Sequence, residues 1–336
     1  MGEAYLVRKG GAVFRDLELI APPDRLDYYP GQYVDVAGAI IGAKFGTFSV
    51  PLHRTAWSFS PARPLVASDT EIVVSATIGR QTKTMGIPIT VENFAVNLDE
   101  NSWAQIAKAA ELGVASEIWH VGDIKYETIN GKTIGCRIIG FDADPLHATD
   151  AKYNDTTYNA GKNKAAITFQ YTNTGAYGSG LMYINQNNKN TGGWLQSDMR
   201  RIQMPRELEL CPADMRSVIR TVSKFTAPGG YGTTLAKRVD ESADEMFILA
   251  VQEVFGKIQN PSGDIGEKEA EVTTQYAWYA EGHSPVKYNS EEWLRSPHDP
   301  NVCSSQSDYG YITTNGVFNM YAYPNVNKMY YPAFNI

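Results

Sequence analysis

The stretch LDENSWAQIAKAAELG at residues 98–113 constrains this chain more than any other, because the hydrophobic period changes there. Ser102 and Gln105 stand three apart as a capping box, and Trp103, Ile106, Ala107 and Ala110 recur at helical spacing before Gly113. The pattern predicts a helix that opens at Ser102 and stops at Gly113. Upstream there is no helical period. Short β-rich runs such as QYVDVAGAII (32–41) and EIVVSATIG (71–79) alternate with the punctuation of APPD and SPARP, which suggests a small β-sandwich or barrel. A chain of 336 residues is long for one hydrophobic core. The expected organisation is therefore a β-rich attachment or assembly domain over 1–97 and a second domain over 98–336.

The second domain reads as α+β. KYETINGKTIGCRIIGF (125–141) is a hairpin candidate around Asn130-Gly131. A further helix is expected over 212–226, with Pro212 in its first turn and Met215, Val218, Ile219 and Val222 on one apolar face. EMFILAVQEVFG (245–256) begins as a buried strand. Two long stretches rich in Asn, Gly, Tyr and Ser lie between these elements, 150–193 and 298–328. Loops of that length are functional or disordered, and their aromatic content favours order.

A net charge of −7 with no run of Lys and Arg argues against nucleic acid as a partner. No segment approaches the roughly 18 apolar residues of a spanning helix, so membrane insertion is not expected. The opening MGEAYLVRKGG lacks the apolar region of a secretory signal, and Leu6 occupies the position where myristoylation needs Ser or Thr. Cys136, Cys211 and Cys303 are widely spaced and odd in number, fitting neither a zinc site nor a disulfide framework. They read as small buried hydrophobes of a protein made in a reducing cytosol. Asp142 and Asp144, like the carboxylates of 260–271, lack the spacing of a calcium loop and read as turn formers. No metal or cofactor is expected.

Two segments, NTGGWLQSDMR (190–200) and EEWLRSPHDP (291–300), each set Trp, Ser and Arg close together. A serine nucleophile needs a base, and His53, His120, His147, His283 and His298 are scattered outside any motif. A glycosidase would need two carboxylates about 5–10 Å apart in a cleft, and no such pair stands out. The expectation is a protein that is not an enzyme. Trp194 and Trp293 are read as buried plugs, and Arg200 and Arg295 as brackets that tie loop backbone to the core. The competing reading makes the tryptophans sugar-stacking platforms. The segment from Tyr309 to Tyr331 interleaves tyrosines with asparagines, the mix of rigid contact and adaptable hydrogen bonding found in antibody paratopes. Its candidate receptor contacts are Tyr309, Tyr311, Asn315, Asn319, Tyr321, Tyr323, Asn325 and Asn327. At least one of Tyr330 and Tyr331 should point inward on a period of two.

The ordered series SWAQIAKAAELGVASEIWHVGDIKYETINGKTIGCRIIGFDADPL, ITFQ, NTGGWLQSDMR, FILAVQEVFG, EEWLRSP and the terminal YPAFNI resembles a domain of unknown function. That domain is common in structural proteins of phages and prophages of Gram-positive bacteria. The resemblance covers about residues 101–336. It implies a C-type-lectin-like fold and a place in the virion, reached after synthesis in the host cytoplasm. It also implies a tail-associated role in host attachment, with other tail or baseplate proteins and a host surface protein or glycan as partners. The alternative it leaves open is a purely architectural tail, baseplate or capsid-decoration protein. Members often carry arginine before the terminal proline, where this chain has Tyr331. A homotrimer is expected, with AGAIIGAKFGTFSV (37–50) either in a subunit contact or in the core of the first domain.

Overall fold

The computed structural model describes residues 13–230, 238–256, 272–287, 289–298 and 308–336. Cys303, the opening residues and the 260–271 carboxylates lie outside them. The chain divides into two compact units, Met1–Phe94 and Ala95–Ile336, close to the boundary expected at 97/98. Strands outweigh helices, and the class is α+β.

The first unit is built from alternation. In Glu71–Ile78 the residues Ile72, Val74 and Ala76 are buried while their neighbours turn outward, the period-two pattern of a half-buried strand. This strand is central in an antiparallel sheet between Trp57–Ser60 and Gln81–Pro88. A second antiparallel sheet places Ile40–Phe45 between Asp16–Ala21 and Phe48–Pro51. Both sheets contribute to one apolar core that includes Leu17, Tyr28, Ile41, Phe45, Trp57, Ile72, Val74 and Ile87. Ile41, Ala43 and Phe45 thus fill this core, whereas Ile40 and Phe48 on the same hairpin are exposed. The strand expected over 32–41 begins only at Ile40.

In the second unit the helix is Trp103–Glu111, and the capping box forms in both directions: Ser102 Oγ accepts from Gln105 N, and Gln105 Oε1 accepts from Ser102 N. Its buried face is Trp103, Ile106, Ala109 and Ala110, one position different from the expected set. Gly113 follows at φ +71°, the left-handed conformation that ends the helix. The hairpin pairs Ile124–Ile129 with Lys132–Phe141, turning at Asn130 and Gly131, both at positive φ. A five-stranded antiparallel sheet runs in the order Met246–Phe247, Ala333–Asn335, Ile167–Tyr171, Lys132–Phe141, Ile124–Ile129. The terminal YPAFNI therefore sits inside the sheet. Phe334 stacks on Phe169 at 5.2 Å and meets Trp103 and Tyr171 edge-on.

The helix expected over 212–226 is shorter than its apolar spacing suggests. It spans Ala213–Val218, and Val222–Thr226 is instead a strand paired with Asp240–Asp244. Val218, Ile219, Thr221 and Val222 are β-branched, and tertiary pairing claims the second half of the segment. Met246–Phe247 is a buried strand as expected, and the helix Val251–Phe255 follows it. A second sheet of five strands has the order Leu181–Met182, Lys328–Met329, Glu292–Pro297, Tyr309–Ile312, Phe318–Ala322. Only Glu292–Pro297 with Lys328–Met329 pairs in parallel. The stretch 150–193 contains short elements, Tyr158–Gly161, Ile167–Tyr171 and Leu181–Met182, rather than an open loop.

Candidate functional site

Both tryptophans of the twin motifs are buried. Trp194 lies in the short helix Gly193–Gln196, and its Nε1 donates to Asp244 Oδ2 at 2.8 Å. Arg200 reaches the same carboxylate, its Nε donating to Oδ1 at 2.6 Å, while Nη2 donates to the Ala243 carbonyl at 2.9 Å. One buried aspartate thereby joins the tryptophan and the arginine of one motif. Arg200 lies in a π-helical turn, Met199–Gln203, that runs into the helix Met204–Leu210. Pro205 has no N–H to donate to the Arg201 carbonyl, which favours the wider turn before it.

The second motif is a strand, Glu292–Pro297, with every residue buried. Trp293 Nε1 donates to the Met182 carbonyl at 2.8 Å, fixing the long segment that leads to Gly193. Arg295 donates to both oxygens of Glu253, at 2.5 and 2.7 Å, and to the Ile248 carbonyl at 3.0 Å. Burial alone would raise the Glu253 carboxyl, but the adjacent Arg295 and Lys224 charges hold it below its ordinary range. The serines serve backbone: Ser197 Oγ donates to the Trp194 carbonyl, and Ser296 Oγ accepts from Val251 N. A third bracket had no counterpart in the sequence reading. Glu207, fully buried, accepts from Ala176 N at 2.6 Å, Tyr177 N at 2.7 Å and the Tyr330 hydroxyl at 2.9 Å. Burial, then the nearby Glu207 charge, raises the Tyr330 hydroxyl.

The candidate contact residues lie toward one edge of the second sheet. Phe318–Ala322 is its last strand, with Met320 and Ala322 buried and Tyr321 exposed at 67%. Tyr323, just beyond, is 56% exposed on the same side of the alternation. Asn315 stands exposed in the hairpin turn, where Gly316 takes φ +77° and the Val317 and Thr313 backbones are bonded. Asn325 and Asn327 are exposed in the following turn, tied down where Ile184 N and Asn185 N donate to the Pro324 carbonyl. Tyr311 and Asn319 are cross-strand partners and half-buried. Lys328 lies over the Tyr311 ring at 4.0 Å and pairs with Glu291. Partial burial and the Glu291 charge raise the Tyr311 hydroxyl.

Tyr309 does not belong to this surface. It is 0% exposed, and its strand partner is the buried Ala322. Register shifts against both neighbouring strands fall between Tyr309 and Tyr311. Such irregularities break the simple inward and outward alternation, so the expectation for Tyr309 is corrected. Tyr330 and Tyr331 are both buried. Tyr331 carries Lys287 over its ring at 4.3 Å.

Asp142 pairs with Lys162 and Asn159, whereas Asp144 turns inward to Lys224. Among the described residues no group of three or more His, Cys, Asp or Glu side chains is arranged to hold a metal ion. The chain matches no protein-family model and no curated protein.

Proposed function

We propose that the chain is a phage virion protein, tail-associated, whose second unit is a C-type-lectin-like domain presenting the Tyr321 and Tyr323 face to a host surface receptor. The exposure of Tyr321 on an edge strand and of Tyr323 just beyond it carries the reading, because solvent-facing tyrosines with exposed asparagines, Asn315, Asn325 and Asn327, in the adjoining turns make a contact surface of paratope type. The buried brackets support it. Tyr309, Trp194 and Trp293 are committed to the interior, and of the exposed tyrosines described in this unit, Tyr126, Tyr153, Tyr321 and Tyr323, only the last two stand two residues apart. A homotrimer on the particle would raise avidity by roughly 10²–10⁴ over a single weak contact.

The test is competition. Purified full-length chain is added to Gram-positive host cells before the phage, and particle adsorption is counted. Saturable binding and reduced adsorption are the expected results. Absence of binding, together with a particle image in which a neighbouring protein covers Tyr321 and Tyr323, would establish the architectural role instead.

A further inference from the structure

The centre of the second unit holds a buried lysine that touches more than the Arg295–Glu253 bracket. Lys224 points inward from the Val222–Thr226 strand and is 1% exposed. Its Nζ lies 2.5 Å from Asp144 Oδ1, 2.6 Å from the Tyr276 hydroxyl and 3.1 Å from Glu253 Oε1. The Phe247 ring covers it at 3.8 Å. On the far side of the same carboxyl, the Tyr276 hydroxyl donates to Asp144 Oδ2 at 2.8 Å, with the Thr168 hydroxyl 3.2 Å away. An amine is thus held against a carboxyl group in a buried, aromatic-walled site. Hydroxyls face the oxygen on which negative charge would grow during attack at Cγ, and a second carboxylate faces the nitrogen.

We propose that Lys224 and Asp144 condense to an intramolecular amide, a covalent cross-link between the Lys224 side-chain nitrogen and Asp144 Cγ. Proton transfer across the 2.5 Å contact turns the ammonium–carboxylate pair into amine and carboxylic acid. The nitrogen attacks Cγ, and Tyr276 stabilises the charge gathering on Oδ2. A second proton leaves the nitrogen, which Glu253 Oε1 faces at 3.1 Å, and passes to Oδ1. The Nζ–Cγ bond forms, the Cγ–Oδ1 bond breaks, and Oδ1 departs as water with two of the three ammonium protons. The third stays on the amide nitrogen. No electron is gained or lost and no co-reactant is needed. Fixed contact supplies the proximity that makes an otherwise slow condensation intramolecular. A cavity of about 30 Å³ lined by Asp144, Lys224, Glu253 and Thr273 has room for the single water released. The bond would close a loop between residues 80 apart in sequence, constraining the unfolded chain as a disulfide does without depending on redox conditions.

The experiment is intact mass measurement of the denatured full-length chain, followed by peptide mapping. The expected mass is one water below that of the sequence, with a branched peptide joining the segments that contain Asp144 and Lys224. Asp144→Asn should close with loss of ammonia and end at the same final mass. Lys224→Arg keeps the positive charge, cannot form the bond, and should return the full mass for its sequence. A wild-type chain of unreduced mass overturns the proposal whatever the variants do. So does a missing water without the branched peptide, which would mark a succinimide instead.

Discussion

The two units of this chain solve the same problem with different chemistry. Among the described residues, every buried polar or charged side chain lies at Asn101 or beyond, in the second unit, while the core of the first is apolar. The first unit has regular ladders whose side chains alternate, so burial of Ile72, Val74 and Ile87 suffices to set its registers. The second carries long segments with little ladder to fix them. There Asp244, Glu253 and Glu207 each gather several donors from distant parts of the chain. Buried carboxylates of this kind are directional, which apolar contact is not. They also make the unit sensitive to the loss of one partner, because the charge left behind remains buried.

The largest effects should come from breaking those partnerships. Arg295→Ala removes the two-pronged guanidinium partner of the buried Glu253 and should lower the stability of the second unit by about 3–5 kcal/mol. Trp194→Ala should cost about the same through lost packing and an unmatched Asp244. Denaturant unfolding of the variants provides the numbers. In the first unit Ile72→Ala should cost about 2–5 kcal/mol by cavity formation alone, and a Glu253 substitution should leave that unit's own transition where it was. A second way to sharpen the contrast is acid. Glu253 is held below its ordinary 4.5 in the folded state, so its stabilisation is complete above that pH and is lost as pH falls toward the folded value. Acid titration should show the second unit weakening below about pH 4.5 and a shallower slope in Glu253→Gln, from a lower starting stability. Glu292 carries the opposite sign, because burial raises it above 4.5: it adds stability as pH falls toward that value, and Glu292→Gln should remove this gain.

The same contrast explains what the sequence allowed one to read. Local rules were enough for the Glu71–Ile78 alternation, the Ser102–Gln105 box and the Asn130-Gly131 hairpin, since each depends on residues within a few positions. They were enough to mark Trp194, Arg200, Trp293 and Arg295, because a large aromatic beside an arginine is a local signal. The partners were not legible. Asp244 lies 44 residues from Arg200, and Glu253 lies 42 from Arg295. One clue was present: Glu253 and Lys224 are isolated charges inside apolar runs, and such residues need partners if those runs are buried. The strand Val222–Thr226 was read as helix because its apolar spacing suits both periods and only pairing with Asp240–Asp244 decides. Tyr309 was read as surface because a register irregularity leaves no mark in composition.

The smallest stability effect carries the most functional weight. Tyr321 and Tyr323 are exposed, Tyr321 meeting the buried His298 ring at 5.5 Å, and surface substitutions of this kind change stability within about 0.5 kcal/mol. The decisive measurement is therefore a paired one on the double variant Tyr321→Ala/Tyr323→Ala of the full-length chain: its melting temperature and its binding to intact host cells. An unchanged melting temperature with binding lost is the predicted result. Binding at the wild-type level, or a melting temperature lowered as far as in Trp194→Ala, would contradict the division between buried brackets and an exposed contact face.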